Sequence, residues 1–412
     1  MNKRLLAITG AFVPNNDTVT LITYKHLRLL DYLIDVIALK GEEDPALKEI
    51  LQKDPCFHKF HIEYITDYDK AIATLEKKNV LCGIFNTIKY IKAAKTRFYG
   101  NKYEVIYSSS IPAFTHLAAY LIKRKNKNVI WIASFSDPLV NSPYKKDKET
   151  INEYNLITKI GFYVYIFVYM NNLYEKLAMK YADKLIYISD EQRDFMIASN
   201  RQLDSSILQV KSQVIPLNYI KDWPIYQDMI DQQSKHVTNQ PLIAAHFGRI
   251  YGLRKIDSFL EALQLLNAEI PELYEKIIFK QYGEIIPRYQ AMIKSYHLEK
   301  LFIIEDKIPY NEALIKMKDC DILLLFDTLT KQDEPQPYLP SKILEYIILR
   351  KPILALCQKN SPANRLLTGL GYDCLANDAM EIYDFLITML NGIPEFNYDI
   401  SIFENSNMPR II

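Results

Sequence analysis

"QPYLPSKILEYIILRKPILALC", residues 336–357, decides how the rest of the chain is read. Pro340 suits a first helical turn, because its φ is already fixed and the N–H it lacks would have no partner there. Ile343, Leu344, Ile347 and Ile348 give the helix an apolar side, and "LRKP" turns it into an apolar strand, "PILALC". One βα unit therefore passes directly into the next. Ser341 and Lys342 fall where backbone amides are free of helical partners. Glu345 lies one turn deeper, flanked by Leu344 and Ile347, where a casual surface charge is unexpected. A capped helix with a solvated glutamate is the plainer alternative.

Working outward, the same alternation runs through the chain. Short apolar strands are expected at 4–9, 32–39, 103–109, 128–135, 183–189 and 212–217, and again at 242–248, 276–283, 301–306, 320–326 and 352–357. Amphipathic segments lie between them. In 255–270, Ile256, Phe259, Leu260, Leu263 and Leu266 recur at helical spacing. Strands alternating with helices predict an α/β fold of parallel sheets. The polar stretch 222–241 breaks the pattern and marks a boundary. We expect two Rossmann-like domains, 1–225 and 240–389, with 390–412 returning to the first. Two such sheets facing across a cleft would bind ligands beyond the carboxyl ends of their strands.

Bulk composition narrows the function. A chain of 412 residues with 49% hydrophobic and 24% charged residues is an ordinary folded protein. Its 50 basic and 49 acidic residues leave a net charge of +1, which argues against nucleic acid as a partner. The five cysteines, Cys56, Cys82, Cys320, Cys357 and Cys374, are scattered and read as buried thiols in a reducing cytoplasm. His58 and His61 in "HKFH" have no further ligand cluster, so no metal site is expected. The aromatic stretch "IGFYVYIFVYMNNLY", 160–174, reads as a core helix, with a peripheral membrane-interface helix as the alternative.

"HFGRIYGLRKIDSF", 246–259, leaves one of these strands for a helix. Gly248 lets the backbone turn, and Arg249 and Lys255 flank the junction. Cations beside a helix start make an anion seat, with arginine offering a planar fork and lysine a compact charge. A solvated Arg–Lys surface is the alternative.

Together, "GR-x5-K", "PSK-x2-EY-x4-KPIL", "NVIWIASFSDP" (128–138) and "YADKLIYISDEQRDFM" (181–196) resemble GT-B glycosyltransferases of the family 4 type, over nearly the whole chain. The resemblance implies a hexosyltransferase that uses a nucleoside-diphosphate sugar, a UDP-sugar favoured. It would retain anomeric configuration, require no bound metal or cofactor, and act on a glycan or lipid-linked acceptor of a surface polysaccharide pathway. By position, Arg249 and Lys255 would hold the diphosphate, with Gly248 beside them. Ser341 and Lys342 would border the phosphates, Glu345 would bind the ribose and Ile308 would offer backbone to the base. Asp137 and His116 would face the reacting sugar or acceptor. The protein would be cytoplasmic, with peripheral contact to the inner membrane face through 160–174.

The chain departs from the family twice. Pro337 stands where a second acid is common, and Asn15, Asn16 and Asp17 replace the paired glycines of the first loop. Asn and Asp tolerate left-handed backbone, so a tight turn is still expected there. A catalytically degenerate scaffold acting as a partner subunit is the alternative from another class; a sugar-nucleotide epimerase lacks an identifiable acid/base set.

Overall fold

A computed structural model describes residues 3–68, 80–147, 170–231, 240–331 and 334–412. The chain divides into two units, residues 1–220 with 403–412, and residues 221–402. The first unit holds β1 (Arg4–Ile8), β2 (Leu33–Lys40), β3 (Phe60–Asp67), β4 (Val105–Ser109), β5 (Ile130–Ser134), β6 (Lys184–Tyr187) and β7 (Ser212–Val214). These pair in the order β3-β2-β1-β4-β5-β6-β7, all parallel. The second unit holds β8 (Leu242–Phe247), β9 (Ile277–Tyr282), β10 (Phe302–Glu305), β11 (Ile322–Phe326), β12 (Ile353–Leu356) and β13 (Cys374–Leu375). Their order is β10-β9-β8-β11-β12-β13, again parallel. Each sheet is an open, doubly wound α/β layer.

The strands buried on both faces are the ones the sequence announces. Ile322–Phe326 and Ile353–Leu356 are buried throughout, as central parallel strands must be. β3 is an addition to the expected set. It is an edge strand in which Phe60 is buried while His61, Glu63 and Tyr64 are exposed, so it carries no apolar run to read. β13 is two residues long and too short to signal itself.

In each sheet the strand order reverses between two neighbours, β1/β4 and β8/β11. A crevice opens at such a switch point, beyond the carboxyl ends of the strands. In the first unit Gly10 lies there, and a Cβ on it would stand 2.2 Å from the Ile111 carbonyl oxygen, so only glycine lets the two loops meet. A cavity of about 450 Å³ opens beside it, lined by Ala11, Asn15, Asp17, Thr20, Tyr68 and Ile111 among others. The first loop is closed by side chains. Asn15 Oδ1 accepts from Asp17 N at 3.2 Å, and Asp17 caps the helix Thr18–Leu27 by accepting from Thr20 N at 2.9 Å. The expected tight turn is present, with Asn15 N donating to the Phe12 carbonyl at 3.0 Å; none of Asn15, Asn16 and Asp17 has a positive φ, so these hydrogen bonds close it without left-handed backbone.

Most of the aromatic segment 160–174 lies outside the described residues; its end begins the helix Met170–Tyr181, in which Tyr174 is buried. No helix among the described residues is long and apolar enough to cross a membrane. No group of three or more His, Cys, Asp and Glu among them could hold a metal ion. Cys56, Cys320, Cys357 and Cys374 are free thiols, and Cys82 has no described side chain.

Candidate functional site

The second unit gathers the chemistry at its switch point. β8 ends at Phe247 and delivers Gly248 with φ +129°, a backbone that a side chain rarely adopts. β11 ends at Phe326 and delivers Asp327, which is 1% exposed. Lys342 reaches the same place from the turn before the helix Ile343–Leu349. Its Nζ lies 2.6 Å from where a Cβ on Gly248 would sit and 3.0 Å from His246 Nε2. The missing glycine side chain is the space the lysine head occupies.

The helix itself begins later than expected. Pro340, Ser341 and Lys342 form a turn, with Ile343 N donating to the Pro340 carbonyl at 3.1 Å, and the helix runs from Ile343 to Leu349. All seven of its residues are buried, Glu345 included. Glu345 Oε1 accepts from Tyr310 OH at 2.7 Å, and Tyr310 OH lies 3.3 Å from Tyr226 OH. A buried carboxylate is tolerated because a donor meets it.

Of the two cations read at the β8 junction, neither turns inward. Arg249 is half exposed and pairs with Glu284, Nε to Oε2 at 2.8 Å. Lys255 is exposed and precedes the helix Asp257–Glu269 by two residues instead of opening it. The inward cation is Arg254. It is half-buried, donates from Nη1 to the Arg249 carbonyl at 2.9 Å, and leaves a buried Nε without a partner. Its charge acts on His246, Lys342 and Asp327.

Burial sets the electrostatics. It holds the Lys342 ammonium well below the ordinary lysine range; Arg254 pushes the same way, while Asp327 and Glu345 oppose it. Burial also pushes the Asp327 carboxyl up to about 7, against the opposing effects of the Thr328 amide, Arg254, Gln336 and Ser361. Its oxygens accept from Thr328 N at 2.7 Å and Gln336 Nε2 at 2.8 Å. Two half-buried cations beside a buried, reluctant carboxylate leave the site short of negative charge. An incoming anion would relieve it.

Ser341 is half-buried in the turn beside Lys342, and Ile308 is half-buried on the loop between β10 and the helix Tyr310–Asp319. In the first unit, Asp137 is half-buried on the loop after β5. That loop is pinned by Ser136 N donating to Ser110 Oγ at 2.9 Å and by Gln192 Nε2 donating to the Ser136 carbonyl at 2.9 Å. His116 is enclosed in the core, with no exposed surface, its Nδ1 2.8 Å from Ser108 Oγ and its ring 5.1 Å from Phe135. Burial lowers its pKa to about 3, so it is neutral.

Arg254, Asp327 and His246 are the residues the sequence did not single out. Two signals were present: an acid directly after the apolar run "ILLLF", and a histidine inside "LIAAHF". A polar residue at the end of a buried parallel strand has few places to point except the crevice.

No family model matches the chain, and no curated protein matches it. Solved structures do. Sucrose-phosphate synthase from Thermosynechococcus elongatus superposes with a TM-score of 0.60 at 12% identity, over 94% of this chain and 90% of that one. An Escherichia coli structure described as trehalose-6-phosphate bound with UDP-2-fluoro glucose gives 0.58 at 10% identity, over 94% and 91%. The lipopolysaccharide outer core galactosyltransferase WaaB gives 0.54 at 11% identity, over 98% and 94%. The chain has the two-domain α/β fold of the GT-B glycosyltransferases.

Proposed function

We propose that the protein is a glycosyltransferase that moves a sugar from a nucleoside-diphosphate donor, a UDP-sugar favoured, to a glycan or lipid-linked acceptor. The observation that carries this reading is the charge set gathered at the second unit's switch point. Gly248 opens the backbone, Lys342 and Arg254 supply fixed positive charge, and Glu345 waits one turn beyond Lys342. In sugar transfer, negative charge gathers on the departing diphosphate, and preorganised cations stabilise it without proton transfer. The Glu345 carboxylate, oriented by the bond it accepts from Tyr310, would accept from a ribose diol. Arg249 and Lys255, exposed here, would have to turn inward to join the diphosphate; Ser341 would border it and Ile308 would offer backbone to the base.

On the first unit, Asp137 and the cavity beside Gly10 would meet the sugar or acceptor, and His116 would act from behind the surface. Retention of configuration is part of the proposal, as is a role in surface glycan synthesis. A non-catalytic scaffold is the second reading, supported by the enclosure of His116 and by Pro337 in place of an acid.

Peripheral contact with an anionic membrane is also proposed. Its support among the described residues is the helix Val80–Tyr99, which carries Lys89, Lys92, Lys95 and Arg97 and no acid. Ile84, Phe85 and Ile88 are exposed beside Lys89 and Lys92. Apolar side chains interleaved with lysines suit a lipid headgroup boundary.

Calorimetry with UDP, GDP, ADP and CMP tests the donor site. One diphosphate should bind, and Glu345→Ala should weaken it at least tenfold. No binding by folded protein would sink the enzyme reading; binding without turnover on a donor panel would favour the scaffold.

A further inference from the structure

Behind Lys342 stands a hydrogen-bonded chain whose directions can be worked out from its ends. His246 on β8 and Gln281 on β9 are register partners, and both are buried. Gln281 Nε2 lies 2.6 Å from the Gly248 carbonyl oxygen and 3.2 Å from that of Gly283. Carbonyl oxygens only accept, so this end of the amide is the NH2 donor. Its other end, Oε1, then faces His246 Nδ1 at 2.7 Å. An amide oxygen also only accepts, so Nδ1 carries the hydrogen. Burial keeps the imidazole neutral, with the Lys342 charge acting the same way. A neutral imidazole protonated at Nδ1 has its lone pair at Nε2. That lone pair is aimed at Lys342 Nζ, 3.0 Å away.

We propose that Gln281 and His246 are positioning residues, which fix the Lys342 head at the end of β8 to meet the donor diphosphate. This rests on the donor-site reading above. Gln281 reads the backbone at the ends of two adjacent strands, since it holds the carbonyls of Gly248, after β8, and Gly283, after β9, at once. It passes that geometry on by selecting the histidine tautomer. The histidine then gives an otherwise mobile four-carbon side chain a single acceptor. Without it the lysine would pay more rotamer entropy on binding an anion. The close packing of the two glycines supports the same end: a Cβ on Gly283 would lie 2.9 Å from the Gly248 carbonyl oxygen that Gln281 holds.

The test uses the full chain and UDP as probe. His246→Gln keeps an acceptor for Lys342 and should bind UDP within about threefold of wild type. His246→Phe removes it and should weaken UDP at least tenfold, with thermal unfolding recorded for both. Equal affinity in the Phe variant and wild type would overturn the proposal. So would equal losses in the Phe and Gln variants at equal stability. Ring-nitrogen NMR of His246 is independent of the donor. It should show hydrogen on Nδ1 in wild type and lose that preference in Gln281→Met; hydrogen on Nε2 in wild type would overturn the chain as described. If the relay is seen by NMR and no nucleotide binds, the donor reading fails and the positioning proposal fails with it. If the NMR result alone fails, the donor reading stands.

Discussion

Asp327→Asn should change the way stability depends on pH. The carboxyl is fully buried and its pKa stands at about 7 in the folded protein, against about 4 unfolded. A carboxyl whose folded pKa is raised contributes its stability below the unfolded value. That stability is lost as pH rises toward the folded one. Three pKa units correspond to roughly 4 kcal/mol in all, of which roughly 2–3 kcal/mol falls between pH 5 and 7.5. Asparagine has nothing to ionise, so its curve should lack that slope. It also introduces a constant cost, because its NH2 faces Gln336 Nε2, and Gln336 cannot flip without losing its bond from Tyr338 N. A donor facing a donor costs about 1–3 kcal/mol at every pH. The variant should therefore be weaker than wild type at pH 5 and gain on it by roughly 2–3 kcal/mol by pH 7.5. Lys342, itself held low, pulls the other way as pH rises in both proteins, and more strongly in the variant, which lacks the opposing Asp327 charge; this adds to the variant's gain, so the comparison carries the test and neither curve does alone. Trp223 belongs to the second unit and Trp131 to the first. Urea unfolding followed by Trp223 fluorescence, in a shared Trp131→Phe background, isolates the right unit. Parallel pH curves for the two proteins would refute the assignment of a near-neutral, water-excluded carboxyl at this strand end.

Three further outcomes are expected. Gly248→Ala and Gly371→Ala should each cost about 1–3 kcal/mol of stability from their positive φ, but only the first displaces Lys342, since nothing lies within 4 Å of a Cβ on Gly371. UDP affinity by calorimetry should fall at least tenfold in the first and hold in the second. Tyr310→Phe removes the donor to Glu345, a charged hydrogen bond worth about 1.5–3 kcal/mol, and should weaken UDP roughly tenfold; unchanged affinity would detach Glu345 from the ribose. Phe85→Ser with Ile88→Ser, and separately Lys89→Glu with Lys92→Glu, should each reduce co-sedimentation with anionic vesicles, the charge variant more at low salt; retention of wild-type binding by both would remove this helix from the membrane reading.

Much of this was legible because parallel strands buried on both faces leave unbroken apolar runs. The helix 257–269 was legible for the same reason: Phe259, Leu260, Leu263 and Leu266 are its buried side. β3 was not, since an edge strand has one wet face and a mixed pattern. The site was read as sequence spacing, which places residues near a junction without fixing which way they point. Arg249 and Arg254 are five apart and chemically alike, yet one pairs outward with Glu284 and the other lies beside Lys342's charge. That choice is made by tertiary partners far away in sequence. The relay of Gln281, His246 and Lys342 spans three elements, and no local motif could carry it.

The return of residues 403–412 to the first unit bears on how the protein is made. Asn405 donates to the Lys25 carbonyl and to Asn218, Arg28 donates to Asn405, and Lys184 donates to the Ile411 carbonyl. Ile411 is fully buried. The first unit therefore cannot finish packing while the ribosome is still synthesising the second. An unfinished first unit must wait through some 180 residues of synthesis, with the seat for Ile411 open, although domains usually fold in the order they emerge. A chain stalled or clipped before residue 403 would lose order at its beginning, far from the lesion in sequence.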